Sequence, residues 1–469
     1  MAAGWFVSRG SNRLCRSFFS QPIFLAFTSS VLFFIYISKL QNQHAKNTDP
    51  QTNVRTAIQQ YHDSKLFISQ EPNNGKEKRI INLHESIEEG ETSSSLNGSL
   101  GRQHKPKEKA ETGSTGYDNN KFKDVFHDRD LFRNEYDGMN RSLKIYVYPH
   151  ETNDTFANIL LPVDAEPQGN YASESYFKKS LFRSHFLTNN ALEADLFYLP
   201  FSIAGLRNDK RVGVGRIQDF IKSYIRHVSQ NYPYWNRTGG ADHFYVACHS
   251  VGRSAMEKAI EVRLNAIQVV CSSSYFVSTY VAHKDASIPQ IWPRNGKRPM
   301  RLPSERKKLV FYAGAMNSRV REFLVRVWKN DNDVSVHQRR LKTPYSEALL
   351  GSKYCIHAKG FEVNTARIAD ALYYGCVPVV LADHYDLPYT DILNWDSFSV
   401  VVSTEDIPML KKILQGISYG DYLKLQRNVM RVQKHFQWHQ FPLDFDAFYM
   451  VMYELWIRRN HVRISLNSL

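Results

Sequence analysis

Cysteine is scarce in this chain, five in 469 residues. There is no Cys-x-x-Cys pair, which argues against a structural zinc site. No internal repeat stands out, so a repeat architecture has no support. Long apolar runs are also missing, with one exception. Pro22 to Ser38 carries no charge, follows Arg9, Arg13 and Arg16 and precedes Lys39, and no acidic residue occurs before Asp49. Its length is at the short end of the roughly 17 to 25 residues that span a bilayer, and no Ala-x-Ala cleavage site follows it. Residues 22–38 therefore read as a signal-anchor helix after a cytoplasmic tail, 1–21. The arginines keep that tail in the cytoplasm and place everything beyond in a lumen, as in a single-pass type II membrane protein. A cleaved signal peptide is the alternative reading. From Gln41 to about Thr115 aromatic residues are almost lacking, and Asn, Gln, Ser, Lys and Glu dominate. Such a segment cannot bury enough apolar area to fold alone, so 39–120 is expected to be a disordered lumenal stem.

The remainder is globular in character: 42% of the whole chain is hydrophobic and 13% aromatic. The net charge of +14 suggests an acidic partner, such as an anionic polysaccharide or a nucleotide. Nucleic acid is disfavoured by the lumenal topology. Part of the charge falls between Lys297 and Lys308 and is expected to be a solvated basic linker, 296–308, between two domains, 121–295 and 309–469. Four Asn-x-Ser/Thr sequons, Asn97, Asn140, Asn153 and Asn236, lie beyond the anchor and suit a lumenal glycoprotein. Of the cysteines, Cys248 and Cys271 fall in one half and Cys355 and Cys376 in the other. These four allow three pairings, of which pairing within each half is the natural one, and four buried free thiols are the alternative.

The stretch from Tyr345 to Val402 organises the rest. Apolar runs at Tyr354–His357, Val377–Leu381 and Phe398–Val402 alternate with helical patterns, the sign of βαβ units and a parallel sheet. Between the first two runs lies Lys359-Gly-Phe-Glu-Val-Asn364, a tight turn from which Asn364 can cap a helix that ends at Gly375. The exposed N–H groups of that helix start, with Arg367 in the first turn, favour a phosphate. Glu362 would repel a pyrophosphate, so a functional Glu362 is expected to accept hydrogen bonds from neutral vicinal hydroxyls, as a Rossmann acid does with ribose. The ligand so inferred is a sugar nucleotide; the bland alternative is a surface ion pair between Glu362 and Arg367. A second turn ends the strand Lys308–Gly314 and leads into a helix through Val320 and Trp328. The first half reads as an α/β domain too, with an initial helix through Phe122, Val125, Phe126, Phe132 and Tyr136. Strands follow at Leu143–Tyr148, Ala194–Phe201, His243–Cys248 and Gln268–Cys271, and Glu174 opens a helix between the first two.

These segments resemble the exostosin-like glycosyltransferases of plants, glycosyltransferase family 47. The resemblance covers roughly Phe122 to the C-terminus. It rests on Leu143-Lys-Ile-Tyr-Val-Tyr-Pro149, Ala194-Asp-Leu-Phe-Tyr-Leu-Pro200, Tyr232 to His243, Lys284 to Pro289, and above all Gly360-x-Glu362-Val-Asn-x-x-Arg367 with Cys376-Val-Pro-Val-Val380. It implies a GT-B fold, two facing Rossmann-like domains with the nucleotide-sugar in the C-terminal one. It also implies a Golgi enzyme, inverting transfer, no metal and no cofactor beyond the nucleotide-sugar donor, most simply a UDP-sugar, with a polysaccharide or glycan acceptor. Gly360, Glu362, Asn364, Arg367, Gly314 and Arg321 would be donor-site residues. The chain departs from the family pattern at His249-Ser-Val-Gly252 (usually His-Asp-Trp-Gly), at Cys271-Ser-Ser-Ser274 (Cys-Asn-Ala-Asp) and at Asn317-Ser318 (His-Gly). With two acidic positions lost, His249 and Glu174 are the candidates for catalytic base. A metal-dependent alternative would use Asp128-Arg-Asp130, Asp331-Asn-Asp333 or Asp444-Phe-Asp446, none of which follows a strand of a Rossmann unit. A catalytically silent scaffold subunit of a transferase complex is the alternative from another class.

Overall fold

The computed structural model describes residues 124–277, 279–294, 298–338 and 341–460, without the side chain of Arg253. The tail, anchor and stem, Asn97 and Phe122 lie outside these residues. Among the described residues no helix is long and apolar enough to cross a membrane.

The first helix, α1 (Arg129–Ser142), buries Phe132, Tyr136 and Met139 at positions i, i+4 and i+7. It starts later than its aromatic spacing suggests, because the Asp128 carboxylate accepts a hydrogen bond from the Leu131 N–H and sets the N-cap there. Val125 and Phe126 consequently precede the helix, where Phe126 stacks on Phe132 with ring centroids 4.8 Å apart.

Two parallel five-stranded sheets follow. The first comprises β1 (Ile145–Val147), β2 (Leu196–Tyr198), β3 (His243–Ala247), β4 (Ile267–Val270) and β5 (Ala286–Ser287), hydrogen-bonded in that order. The fifth strand escapes sequence reading because two small residues make no apolar run. The second comprises β6 (Lys308–Ala313), β7 (Val334–His337), β8 (Ser352–Ala358), β9 (Val377–Leu381) and β10 (Val400–Val401), in the order β10-β9-β8-β6-β7. Its order reverses between β6 and β8, and the crevice beyond the carboxyl ends of those two strands is where open α/β sheets bind ligands. The first sheet is parallel too, but its strands follow one another in chain order without such a reversal.

The helices that position the site are α2 (Ala172–Leu181), α3 (Ile217–Asn231), α4 (Arg319–Trp328), α5 (Arg367–Tyr373), α6 (Tyr419–Val432) and α7 (Ala447–Arg458). Helix α7 is apolar nearly all round, with Phe448, Met450, Val451, Met452 and Leu455 fully buried, as befits a helix enclosed by the fold. It returns to the first half and packs on α1, α2 and β5. Arg458 fastens its end, donating from Nε to the Asp285 carbonyl at 2.8 Å and from Nη2 to Asp391 at 2.7 Å. One continuous apolar core thereby runs through both sheets.

Cysteines pair within each half, Cys248 with Cys271 and Cys355 with Cys376. The first bridge ties the ends of β3 and β4, and the second ties β8 to the residue before β9. The basic linker matches its sequence reading only in part. Arg306 is buried, donating to the carbonyls of Leu349, Ser352 and Tyr374, while Arg301 pairs with Glu347 at 2.8 Å. Arg306 thus holds the start of β8, while Arg298, Lys307 and Lys308 face solvent as expected.

Candidate active site

At the carboxyl end of β6 the chain turns at Gly314, and at that of β8 it turns at Gly360. A Cβ on Gly314 would lie 2.4 Å from Arg367 Nη2 and 2.7 Å from Tyr312 Oη, and one on Gly360 would lie 2.7 Å from Arg321 Nη2. Each glycine therefore leaves the space that one guanidinium fills. Arg321, on α4, is nearly buried and is fixed by the carbonyls of Ala358 and Ala315 at 3.1 Å each and by Asn317 Oδ1 at 2.6 Å. Arg367, the first residue of α5, donates from Nε to the Ala313 carbonyl at 2.8 Å and lies over the Tyr312 ring. Burial, with the Arg367 charge beside it, pulls Arg321 down to about 10. Two like charges held together in a crevice call for an anion between them.

Two buried polar atoms at this edge lack a hydrogen-bond partner among the described residues, Tyr312 Oη and Asn364 Oδ1. Asn364 does not cap α5. That helix starts after Ala366 without a side-chain cap, and the Asn364 amide donates instead to Gln290 Oε1 at 2.8 Å. The turn is held from beneath by His357, which sequence reasoning missed. Its Nε2–H donates to the Val363 carbonyl at 2.8 Å, so Nδ1 accepts from Thr365 Oγ1 at 2.9 Å. Burial drives His357 down to about 3 and keeps it neutral for this double role. Nothing in the run Tyr-Cys-Ile-His distinguishes it from a strand residue.

Glu362 lies between the two sheets. Its Oε2 accepts from Ser272 Oγ at 2.5 Å, just beyond β4. Neighbouring Ser273 donates to the Asp386 carbonyl at 2.7 Å, and Tyr275 and Tyr280 both donate to the Asp386 carboxylate. Arg294 pairs with Asp370 of α5 at 2.8 Å. The carboxyl ends of the two sheets thus meet at the crevice, and the serines standing at family-variable positions serve as ties across it. Asn317 and Ser318 instead tie the two turns of the second sheet, since Ser318 Oγ donates to the Lys359 carbonyl at 2.7 Å.

The two candidate bases fare differently from expectation. Glu174 is sealed at 1% exposure. Its oxygens accept from Ser202 Oγ at 2.5 Å and from the N–H groups of Ala204 and Cys248 at 3.2 Å each. Desolvation raises its pKa, and a carboxyl enclosed in this way braces α2 against the end of β3. His249 is half-buried against Tyr171, with ring centroids 4.3 Å apart. Its Nδ1 accepts from the Val251 N–H at 3.1 Å, so the neutral ring carries its proton on Nε2. Burial, with Arg207 nearby, lowers its pKa to about 4. His249 therefore offers an N–H donor, the reverse of the base expected of it.

The acidic triplets are engaged elsewhere. Asp128 and Asp446 cap α1 and α7, Asp331 and Asp333 pair with Lys411, and Asp444 accepts from Tyr136 Oη. No cluster of potential metal ligands occurs among the described residues. Of the sequons, Asn153 and Asn236 are exposed. Asn140 sits in the last turn of α1 with Oδ1 buried, which does not suit the expected glycan.

A family model, the exostosin GT47 domain, matches residues 139–417. The chain belongs to the exostosin GT47 family of glycosyltransferases. A probable glycosyltransferase of Arabidopsis thaliana is 38% identical over 71% of this chain and 65% of its own length. A second from the same plant is 33% identical over 73% and 74%. A probable beta-1,4-xylosyltransferase, also of Arabidopsis thaliana, is 29% identical over 61% and 74%. The crevice residues Gly314, Arg321, Gly360, Glu362 and Arg367 all lie within the exostosin GT47 match.

Proposed function

We propose that this GT47 chain moves a sugar from a UDP-sugar to a cell-wall polysaccharide or related glycan, with inversion and without a metal, on a GT-B architecture. The observation that carries this reading is the pair of guanidiniums, Arg321 and Arg367, seated by two glycines at the strand-order reversal of the second sheet. Charge builds on the leaving diphosphate as the glycosidic bond breaks, and fixed guanidiniums stabilise it without reorganising. That supply of positive charge, and the structural use of every acidic triplet, support transfer that needs no metal. Glu362 accepts a hydroxyl from Ser272, and the same carboxylate suits the vicinal hydroxyls of a ribose. His249, with its proton on Nε2, would hold an acceptor or donor oxygen in place.

A panel of UDP-sugars tests this, with UDP release measured in EDTA. At least one donor should turn over, and the pH profile of kcat/KM should show no acid limb near pH 6.5 from His249, whose pKa lies well below. No release from any donor, with or without acceptor glycans, would sink the proposal.

We place the enzyme in the Golgi membrane, with single-pass type II topology and a lumenal catalytic domain. The disulfides and the exposed sequons support that reading. Glycosidase treatment should raise gel mobility, and the shift should vanish in the Asn97→Gln/Asn153→Gln/Asn236→Gln triple variant. An unshifted wild-type protein would contradict the topology.

A further inference from the structure

A pocket of about 380 Å³ opens at some distance from the crevice, between the start of α1, the turn after α6 and the loop that enters α7. The turn after α6 lies at the far end of α5 from Arg367, where Gln433 Nε2 donates to the Leu372 carbonyl at 2.6 Å. A helix of seven residues is roughly 10 Å long, so this pocket is separate from the donor crevice.

Its floor is aromatic and its rim is cationic. Phe126 lines it, held edge-on to His435 at 5.5 Å between ring centroids, and so does Phe445. Phe445 has a φ of 66°, a left-handed conformation that an aromatic residue seldom adopts. The surroundings impose it: Tyr136 stacks on the ring at 4.3 Å, and its hydroxyl accepts from the Phe445 N–H at 3.1 Å. Strain held in this way is found where a side chain must face a ligand.

Arg129, Arg133, Arg431 and Lys434 surround that floor. Asp124 is the one carboxylate among the described residues bonded to any of them, meeting Arg129 at 2.7 Å and Arg431 at 3.4 Å. Arg133 has no ion pair or hydrogen bond among the described residues, and Lys434 lies over the Phe445 ring at 4.9 Å. His435 adds a polar group to the floor. This side chain is 1% exposed and lines the pocket. Its Nδ1–H donates to the Phe445 carbonyl at 2.7 Å, so the neutral ring carries its lone pair on Nε2. Burial lowers its pKa to about 4 and so keeps that lone pair available.

Aromatic faces, a surplus of cations and a buried neutral acceptor together match one ligand chemistry. A sugar ring offers an apolar face to the phenyl groups, hydroxyls to His435 and, when acidic, a carboxylate to Arg133 and Lys434. We propose that this pocket is a second saccharide site that takes a uronate residue. Its use, holding a remote acidic segment of the acceptor, rests on the function proposed above, whereas binding itself does not.

Trigalacturonate titrated calorimetrically into the full-length chain tests the site, with Arg133→Glu/Lys434→Glu as the variant. Both side chains are exposed, so the variant should fold, which an unchanged melting temperature and UDP affinity would verify. Trigalacturonate should bind the wild type and bind the variant at least tenfold more weakly. Neutral xylotriose should not compete, nor should inorganic sulfate at equal concentration. Absence of binding, equal binding by the variant, or displacement by sulfate as effective as by trigalacturonate would overturn the proposal, the last because it would mean simple anion attraction. Loss of UDP binding in the wild type, with trigalacturonate binding intact, would instead count against the donor site alone.

Discussion

Arg367→Ala should weaken UDP binding tenfold to a hundredfold. The guanidinium makes one carbonyl bond through Nε and has no hydrogen-bond partner on its terminal nitrogens among the described residues, where Nη2 faces the turn at Gly314. A charge-assisted contact to phosphate is worth roughly 1.5 to 3 kcal/mol, and each 1.4 kcal/mol is about tenfold in affinity. Gly314→Ala should do nearly the same without touching the charge. Its methyl group would displace the tip of Arg367 and press on the buried Tyr312 hydroxyl, so UDP binding should fall together with some stability. Calorimetric titration of both variants checks this. Equal UDP affinity in wild type and both variants would remove Arg367 from the donor site, and a fall in Arg367→Ala alone would show that Gly314 does not seat it.

The second large effect is on stability. Cys248–Cys271 and Cys355–Cys376 close loops with sequence separations of 23 and 21. The chain-entropy estimate for loops of that length is about 3 kcal/mol each. Replacing Cys248 and Cys271 by alanine should therefore lower unfolding free energy by about that amount in a urea titration. It should also affect the site, because Cys248 precedes His249 and Cys271 precedes Ser272, the tie to Glu362. The Cys355/Cys376 pair joins strands beneath the donor turn, and its removal should cost stability with a smaller effect on transfer. Reduction that leaves the urea midpoint unmoved would contradict the estimate.

The crevice at the strand-order reversal was legible in the sequence because its parts are local. Gly360, Glu362 and Arg367 sit within one turn and one helix start, and the strand run before Gly314 announces the other turn. What was not legible depends on distant chain meeting there. Ser272 and Glu362 are 90 positions apart, and Asn364 finds Gln290 across the two halves. The pull of that contact, not helix propensity, decides that Asn364 leaves the cap position. His249 was read as a base from its ordinary pKa, but the direction of the Val251 N–H fixes its tautomer and no composition rule reveals that. Glu174 was hard to read for a similar reason: three donors from two separate segments, Ser202 and Ala204 in one and Cys248 in the other, converge on it. Strand β5 and the buried role of Arg306 were hidden by shortness and by charge, respectively. The βαβ alternation of the second half was plain because its strands are long apolar runs, whereas the sequential order of the first sheet is a matter of pairing that short strands do not encode.

The central claim is that the reversal point of the second sheet holds the nucleotide of the donor. The most direct measurement is an experimental structure of the chain with UDP. The account predicts the diphosphate between the guanidiniums of Arg321 and Arg367, within about 3 Å of each, and ribose hydroxyls on Glu362 in place of Ser272. UDP bound anywhere else, or bound here with Arg321 and Arg367 turned away from its phosphates, would contradict it.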